Sequence, residues 1–435
     1  MVMGFTRVPL TEGVGLLQTR TSEIIWRGRS LFLCAGCEDV FPRFRVSLIS
    51  DADQEPDHFG ESDNSAYPSD VRCVAIAFEA DENTCRWALG RGVELLLASR
   101  EVVGHLGDKT QLFDILKRAH IRSIPGRLCE AKSYPDTEQI WCEFKGKPVV
   151  VQRGENNLTG KGTRLVSHQR ELSEVFAEWG EHRLKISQYL DGTQLTISGC
   201  VGSRQTIVSA ISRQLVGIPR LTCYWGAHCG NQLVNGSDLE NEVAVRCFEI
   251  CKRVGDELRR RGFLGAFGLD LLQTPENEVF VVEINPRLQS VSSLINIAEI
   301  EANMLPIPGV HLLSFLLDQV PVVALTDAPP VPPLSQIVLY ARRRGLISKA
   351  PANGRYHLGN GALMQMPGQM SLRSISSEEA VIWNFVKPGE YVQEDTRLCV
   401  LQTRFYLAEA TSEANLTNRA LELVDALESQ FKLQA

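Results

Sequence analysis

A chain of 435 residues, 44% of them hydrophobic, is longer than one ordinary core requires, so roughly two to four globular domains are expected. Its net charge of −7 is mild and spread along the chain, which argues against a footprint for nucleic acid or an anionic membrane surface and points to small partners. No apolar stretch approaches the length of a spanning helix, and Met1 to Arg20 lack an export pattern, so no membrane partner and a cytoplasmic location are expected.

The twelve cysteines are scattered through a large chain and read as free thiols. Cys34-x-x-Cys37 stands without a second pair or a nearby His, and Cys223, His228 and Cys229 lack a fourth ligand at metal-site spacing, so neither group reads as a zinc site.

In chain order, Leu31 to Cys34, Phe44 to Ser50, Val71 to Phe78 and Val93 to Ala98 are short β-branched runs that predict a small N-terminal α/β domain over residues 1–107. The acidic Ser-, Pro- and Gly-rich stretch 51–70 within it reads as a surface loop. Asp108 is a helix cap aimed at the Gln111 amide, with Leu112, Ile115, Leu116 and Ala119 at helical spacing behind it. Lys109 then lies in the first turn, where a cation is unfavourable unless an anion is near. Pro148 to Ser212 reads as strand-rich, broken by a glycine loop, and an amphipathic helix follows from about Glu240 to Arg261. Five prolines between Pro321 and Pro333 predict a linker over 321–334. A C-terminal domain over 335–435 closes the chain, with Val386 to Gln402 read as strands and a last helix carrying Leu416, Ala420, Leu423, Leu427 and Phe431 on one face.

The chemistry concentrates in one hairpin. Phe267 to Gln273 and Glu278 to Asn285 flank the turn Thr274-Pro275-Glu276-Asn277. Counting back from Gln273 facing Glu278 puts Asp270 opposite Val281 and Gly268 opposite Glu283, with Asp270, Glu283 and Asn285 on one face beside Val279 and Val281. Two carboxylates on such a face call for a divalent cation, and three oxygen donors suit Mg²⁺, with Mn²⁺ an alternative. Gly268 is expected to leave room for that ion. Arg287 follows through Pro286, so its guanidinium can be aimed beside the metal at a phosphate in transfer.

The segment Phe267 to Gln289, with its E-I-N-P-R-L-Q core, closely resembles the metal-binding hairpin of ATP-grasp enzymes, and a weaker likeness runs from about Asp108 to Pro308. The resemblance implies an α/β (α+β) ATP-grasp fold over 108–320, with a small lid subdomain at about 140–190, between an N-terminal pre-ATP-grasp domain and a small C-terminal domain. It implies ATP and Mg²⁺ as cofactors, metal on Asp270, Glu283 and Asn285, and Arg287, Glu283 and Asn285 as catalytic residues. Lys109 matches the first phosphate lysine of the family. Where a second lysine is expected the chain has Gln152, so Arg153 or Lys161 is left to supply the charge. Gly160-Lys161-Gly162-Thr163 matches the mobile loop over the phosphates, and Gln188 and Leu190 match the hinge whose main chain reads adenine.

Biotin carboxylases carry a glutamate two residues after the Gln of this motif, where the chain has Val291, and no biotin-accepting Met-Lys-Met occurs. The resemblance therefore favours a carboxylate–amine ligase joining a small carboxylic acid to an amino acid or peptide amine, with a homodimer left open. A biotin-carboxylase-like carboxylase and a silent ATP-binding protein are the alternatives. Arg342, Arg343 and Arg344, or Gly226 to Asn231, are candidates for the substrate end.

Overall fold

The computed structural model describes residues 5–21, 23–27, 45–49, 72–77, 81–130, 136–155, 160, 162–235, 238–325, 331–359, 361–409 and 415–434. Near the N-terminus four parallel strands stand in the order Arg45–Ile49, Glu23–Arg27, Cys73–Ala77, Glu94–Leu95. All five residues of Cys73–Ala77 are buried, as a parallel strand covered on both faces requires. Glu23–Arg27, an inner strand of this sheet, escaped the pattern reading. Leu31 to Cys34, Cys37 and the loop 51–70 lie outside the described residues.

Asp108 caps a shorter turn than expected. Its carboxylate accepts from the Thr110 N–H at 2.8 Å and from Thr110 Oγ1 at 2.7 Å, starting a 3₁₀ turn over Lys109–Gln111 that leads into the α-helix Leu112–Arg118. The Gln111 amide bonds the Asp108 carbonyl instead. Beyond it, the antiparallel strands Gly126–Cys129, Leu184–Gln188, Val149–Arg153 and Thr163–Val166 form a separate small sheet. The predicted strand-rich stretch is interrupted by a helix, Gln169–Glu178. Its start is fixed by Glu171, whose carboxylate accepts from the Ser167 N–H at 2.6 Å, and Leu172, Val175 and Phe176 bury its apolar face in the sheet's own core.

The largest sheet runs, among the described residues, through Val279–Asn285, Gly265–Gln273, Thr193–Val201, Thr206–Val216, His228–Leu233 and then Ser335–Tyr340, Arg397–Thr403, Glu379–Asn384, Gly354–Gly359 and Ala362–Met366. The helix Asn241–Arg260 lies across its first strands and buries Val243, Cys247, Cys251, Val254 and Leu258. The C-terminal region is thus joined to the preceding strands edge to edge, through Gly230 paired with Ile337. The prolines also do not keep 321–334 free of structure: Val323–Leu325 pairs antiparallel with Phe5–Arg7. An edge pairing of three residues tolerates neighbouring prolines, which lack the N–H only at their own positions.

The last helix, Asn418–Glu428, is capped by Thr417 onto the Ala420 N–H at 3.2 Å. Ala420, Leu423 and Leu427 are buried together with Leu416 and Phe431 on either side, as the spacing predicts. The run Val386 to Gln402 breaks into a two-residue strand, Tyr391–Val392, and the start of Arg397–Thr403. No helix of the described residues is long and apolar enough to cross a membrane.

Candidate active site

The hairpin forms with a register that counting from its turn does not give. Gln273 pairs with Val279, Leu271 with Val281, Asp270 with Glu283 and Gly268 with Asn285, because the ladder shifts between Asp270 and Leu271. Val282 is the extra residue of this bulge, which re-aims everything after it. Asp270 and Glu283 therefore face each other directly instead of diagonally. Val281 points with Leu269 and Leu271 into the apolar core, and Val279 packs against that core, so neither valine shares the carboxylate face.

Each carboxylate is held. Asp270 Oδ1 accepts from Thr196 Oγ1 and from Gln289 Nε2, both at 3.2 Å, and Oδ2 accepts from Asn285 Nδ2 at 3.2 Å. The Asn285 side-chain oxygen Oδ1 accepts from the Arg287 guanidinium at 3.1 Å. Glu283 Oε1 lies 2.9 Å from the ammonium of Lys109, whose side chain is only 4% exposed. Burial, and then the like charge of the facing Glu283, push the Asp270 carboxyl up to about 6. Two facing carboxylates with one raised this far fit a divalent cation, which would neutralise both. Asp270, Glu283 and Asn285 are the residues that would hold it.

Gly268 serves a different end from the one expected. A Cβ there would meet the Gln289 side chain at 1.6 Å, so the glycine makes room for the amide that supports Asp270. In Gly268→Ala the Gln289 side chain has to leave and lose its hydrogen bonds, at a cost of about 1–3 kcal/mol. Urea denaturation of Gly268→Ala, Gln289→Ala and the double variant should show that the alanine at 268 costs much less once Gln289 is gone. Strict additivity would contradict this account.

These groups form one wall of a cavity of about 1000 Å³ that also takes in Gln152, Gly160, Gln188, Leu190 and Arg287. Gly162 is not part of its lining; its carbonyl accepts from the Arg153 N–H at 2.9 Å. Lys161 lies outside the described residues. Gly160, at φ 71°, would place a Cβ 2.2 Å from the Gly226 carbonyl oxygen, so the glycine loop packs on the segment that begins at Gly226. The Gln188 N–H is engaged by the Pro125 carbonyl at 2.8 Å, which removes it from the hinge donors expected to read adenine.

Arg153 is turned away from the cavity and stacks 5.6 Å over the Trp179 ring. The cation beside Gln152 is Lys185, which the sequence reading passed over. It is 3% exposed, lines the cavity and donates to the Val282 carbonyl at 2.9 Å. Burial depresses its ammonium to about 7.

The far side of the cavity comes from the C-terminal region, through Trp383, Phe385, Asp395 and Arg397. Burial, then the charges of Arg397 and Arg287, hold His228 down to about 4 against its bond to Asn231 at 2.8 Å. His228, Arg287 and Arg397 line the same cavity, surroundings that suit a substrate anion. Cys223 lies 3.6 Å from Asp395, Cys229 donates to the Ala227 carbonyl, and the two thiols do not converge with His228. Arg342 and Arg343 bond the carbonyls of Arg220 and Leu433 outside the cavity.

Residues 106–291 match the ATP-grasp domain family. Pyruvate carboxylase of Schizosaccharomyces pombe is 22% identical over 206 residues, which cover 46% of this chain and only 16% of that protein. The biotin carboxylase domain of 2-oxoglutarate carboxylase from Hydrogenobacter thermophilus superposes with a TM-score of 0.58 at 11% identity, over 98% of this chain and 88% of that one. Phosphoribosylamine–glycine ligase from Thermotoga maritima gives 0.58 at 15% identity, over 95% and 97%. N5-carboxyaminoimidazole synthase from Aspergillus clavatus, solved with ADP and its ribonucleotide, gives 0.59 at 12% identity, over 93% and 99%. Sequence match and architecture agree: residues 106–291 match the ATP-grasp domain family, and the chain has a mixed α/β ATP-grasp fold.

Proposed function

We propose that the protein is an ATP-dependent carboxylate–amine ligase that forms an amide through an acyl-phosphate. The convergence of Lys109, Asp270, Glu283, Asn285 and Arg287 on one cavity wall is the observation that supports it most. In this reading Gln188 and Leu190 border the adenine, while Gly160, Lys161 and Gly162 close over the phosphates and Lys109 and Gln152 line them from below. A carboxylate oxygen of the donor bonds to the γ-phosphorus and the bond to ADP breaks. The amine then bonds to the acyl carbon and orthophosphate leaves, the amine's proton passing to solvent.

Arg287, fixed by Asn285, faces the developing charge on the transferred phosphoryl group. A divalent cation on Asp270, Glu283 and Asn285 would supply further neutralisation of the phosphate oxygens. The donor carboxylate fits between Arg287 and Arg397, and the amine approaches from the C-terminal side. The carboxylase reading has structural neighbours in its favour, whereas Val291, fully buried, stands where that chemistry expects a glutamate base. A cytoplasmic location and pairing into a homodimer belong to the same proposal.

ATP, Mg²⁺ and pooled amino acids, peptides and small carboxylic acids should yield ADP, orthophosphate and an amide. AMP and pyrophosphate would overturn the acyl-phosphate route. Bicarbonate with free biotin should give no turnover above background, and a biotin-dependent signal would select the carboxylase instead.

A further inference from the structure

We propose that Lys185 is the second polyphosphate-binding cation of the cavity, set across a strand pair from Gln152. The inference rests on the nucleotide reading above. Gln152 and Lys185 are direct partners on adjacent antiparallel strands, and both line the cavity. Directly paired residues have Cβ atoms about 4.5–5.5 Å apart, so a lysine at either position serves the same space with its four-carbon stem. The neighbouring cation Arg153 is committed to the Trp179 ring, and the Gln152 amide is tied to Thr163 Oγ1 at 3.3 Å.

The charges around Lys185 are incomplete without a ligand. A lysine 3% exposed needs an anion nearby to offset its lost hydration. Lys185 is given the carbonyl of Val282, which the hairpin bulge turns toward it at 2.9 Å. The carboxylate whose charge acts on it, Glu283, is already engaged by Lys109 at 2.9 Å, and no carboxylate of the described residues lies within ion-pair distance of Lys185. Two buried ammonium groups thus share one carboxylate. A bound cation that draws Glu283 away leaves both of them facing the cavity together, a pair of positive charges matched by a di- or triphosphate.

Calorimetric titration of the whole protein with MgADP and with adenosine tests the assignment. Lys185→Gln should weaken MgADP about tenfold or more, the share of one charge-assisted contact, and leave adenosine unchanged. The exchange variant Gln152→Lys/Lys185→Gln should restore MgADP affinity to within about threefold of wild type. Equal loss of both ligands would show that Lys185 only shapes the cavity. An unchanged MgADP affinity, or an exchange variant with native melting behaviour and no recovery, would equally overturn the proposal. Wild-type protein that bound adenosine but not MgADP would also remove it, whereas failure to bind either ligand would bring down the nucleotide reading itself.

Discussion

Glu283→Gln should lower ATP-dependent turnover about a hundredfold or more while the protein still folds, with a melting temperature that drops further behind wild type as pH falls. The two halves of this expectation come from the same geometry. Glu283 faces Asp270 directly across the ladder, an arrangement of like charges that destabilises a strand pair. The amide that the substitution introduces keeps an oxygen for the Lys109 ammonium, now 2.9 Å from Glu283 Oε1, and occupies the same volume as the carboxylate. Burial is the first cause of the raised Asp270 carboxyl and Glu283 the second, so the substitution lets Asp270 fall back toward the ordinary carboxylate range.

A carboxyl raised in the folded state costs stability above its folded value, and that cost fades as pH falls through it. The charge lost to Lys109 lowers the melting temperature of metal-free Glu283→Gln throughout, while the relief of Asp270 offsets part of this at about pH 8 and fades below about pH 6, so the gap to wild type should widen as pH falls. Added Mg²⁺ should raise the melting temperature of wild type by ligand linkage and do so much less in the variant. Calorimetric scans at both pH values, with and without Mg²⁺, carry the test. A variant that turns over normally, or that gains as much from Mg²⁺ as wild type, would put the metal elsewhere.

The same hairpin shows how far local sequence carries and where it stops. Asp270, Glu283, Asn285 and Arg287 are legible because they sit within a short segment whose turn is also local. Their register is not, since Val282 is displaced by the preference of Val281 for the core beside Leu271, a tertiary cause absent from the turn. Gly268 was misread for the same reason: the Gln289 amide it accommodates folds back only when Pro286 to Gln289 crosses the strand. Lys185 lies on a strand that meets Gln152 after an intervening strand and helix, and single-strand periodicity carries no information on that partnership. Arg397 is further out of reach. It enters the cavity because Ser335–Tyr340 continues the sheet from His228–Leu233 and brings Arg397 against Tyr340. The runs Phe44 to Ser50, Val71 to Phe78 and Val93 to Ala98, the long helix after Glu240 and the last helix needed only period and punctuation, and the sequence shows them.

Phe267→Ala should destabilise the protein by about 3–5 kcal/mol, toward the upper end of that range. Phe267 is 1% exposed and is among the largest fully buried side chains of the described residues. Its ring lies over Gly199, its direct cross-strand partner, where an added Cβ would come within 2.7 Å of the ring, and against Gly255 of the helix Asn241–Arg260, where the distance would be 3.1 Å. Two glycines line this space, so no side chain on either surface can swing in after truncation. Cys251 Sγ, which would stand 3.1 Å from a Cβ at Gly199, is too short to fill the space and is fixed on the same helix. The cost of a large-to-small substitution grows with the cavity that remains, and here little of it can collapse. Urea denaturation should show a lowered midpoint at unchanged slope, which separates lost stability from a changed unfolded state. Phe267→Leu, keeping most of the volume, should lose far less. Asp270 is three residues on and is fastened independently by Thr196 and Asn285, so MgADP affinity of the folded Phe267→Ala protein should stay near wild type. A loss below about 1 kcal/mol would mean that the strand and helix close over the gap, and a matching loss of MgADP affinity would mean that the ring positions the carboxylates.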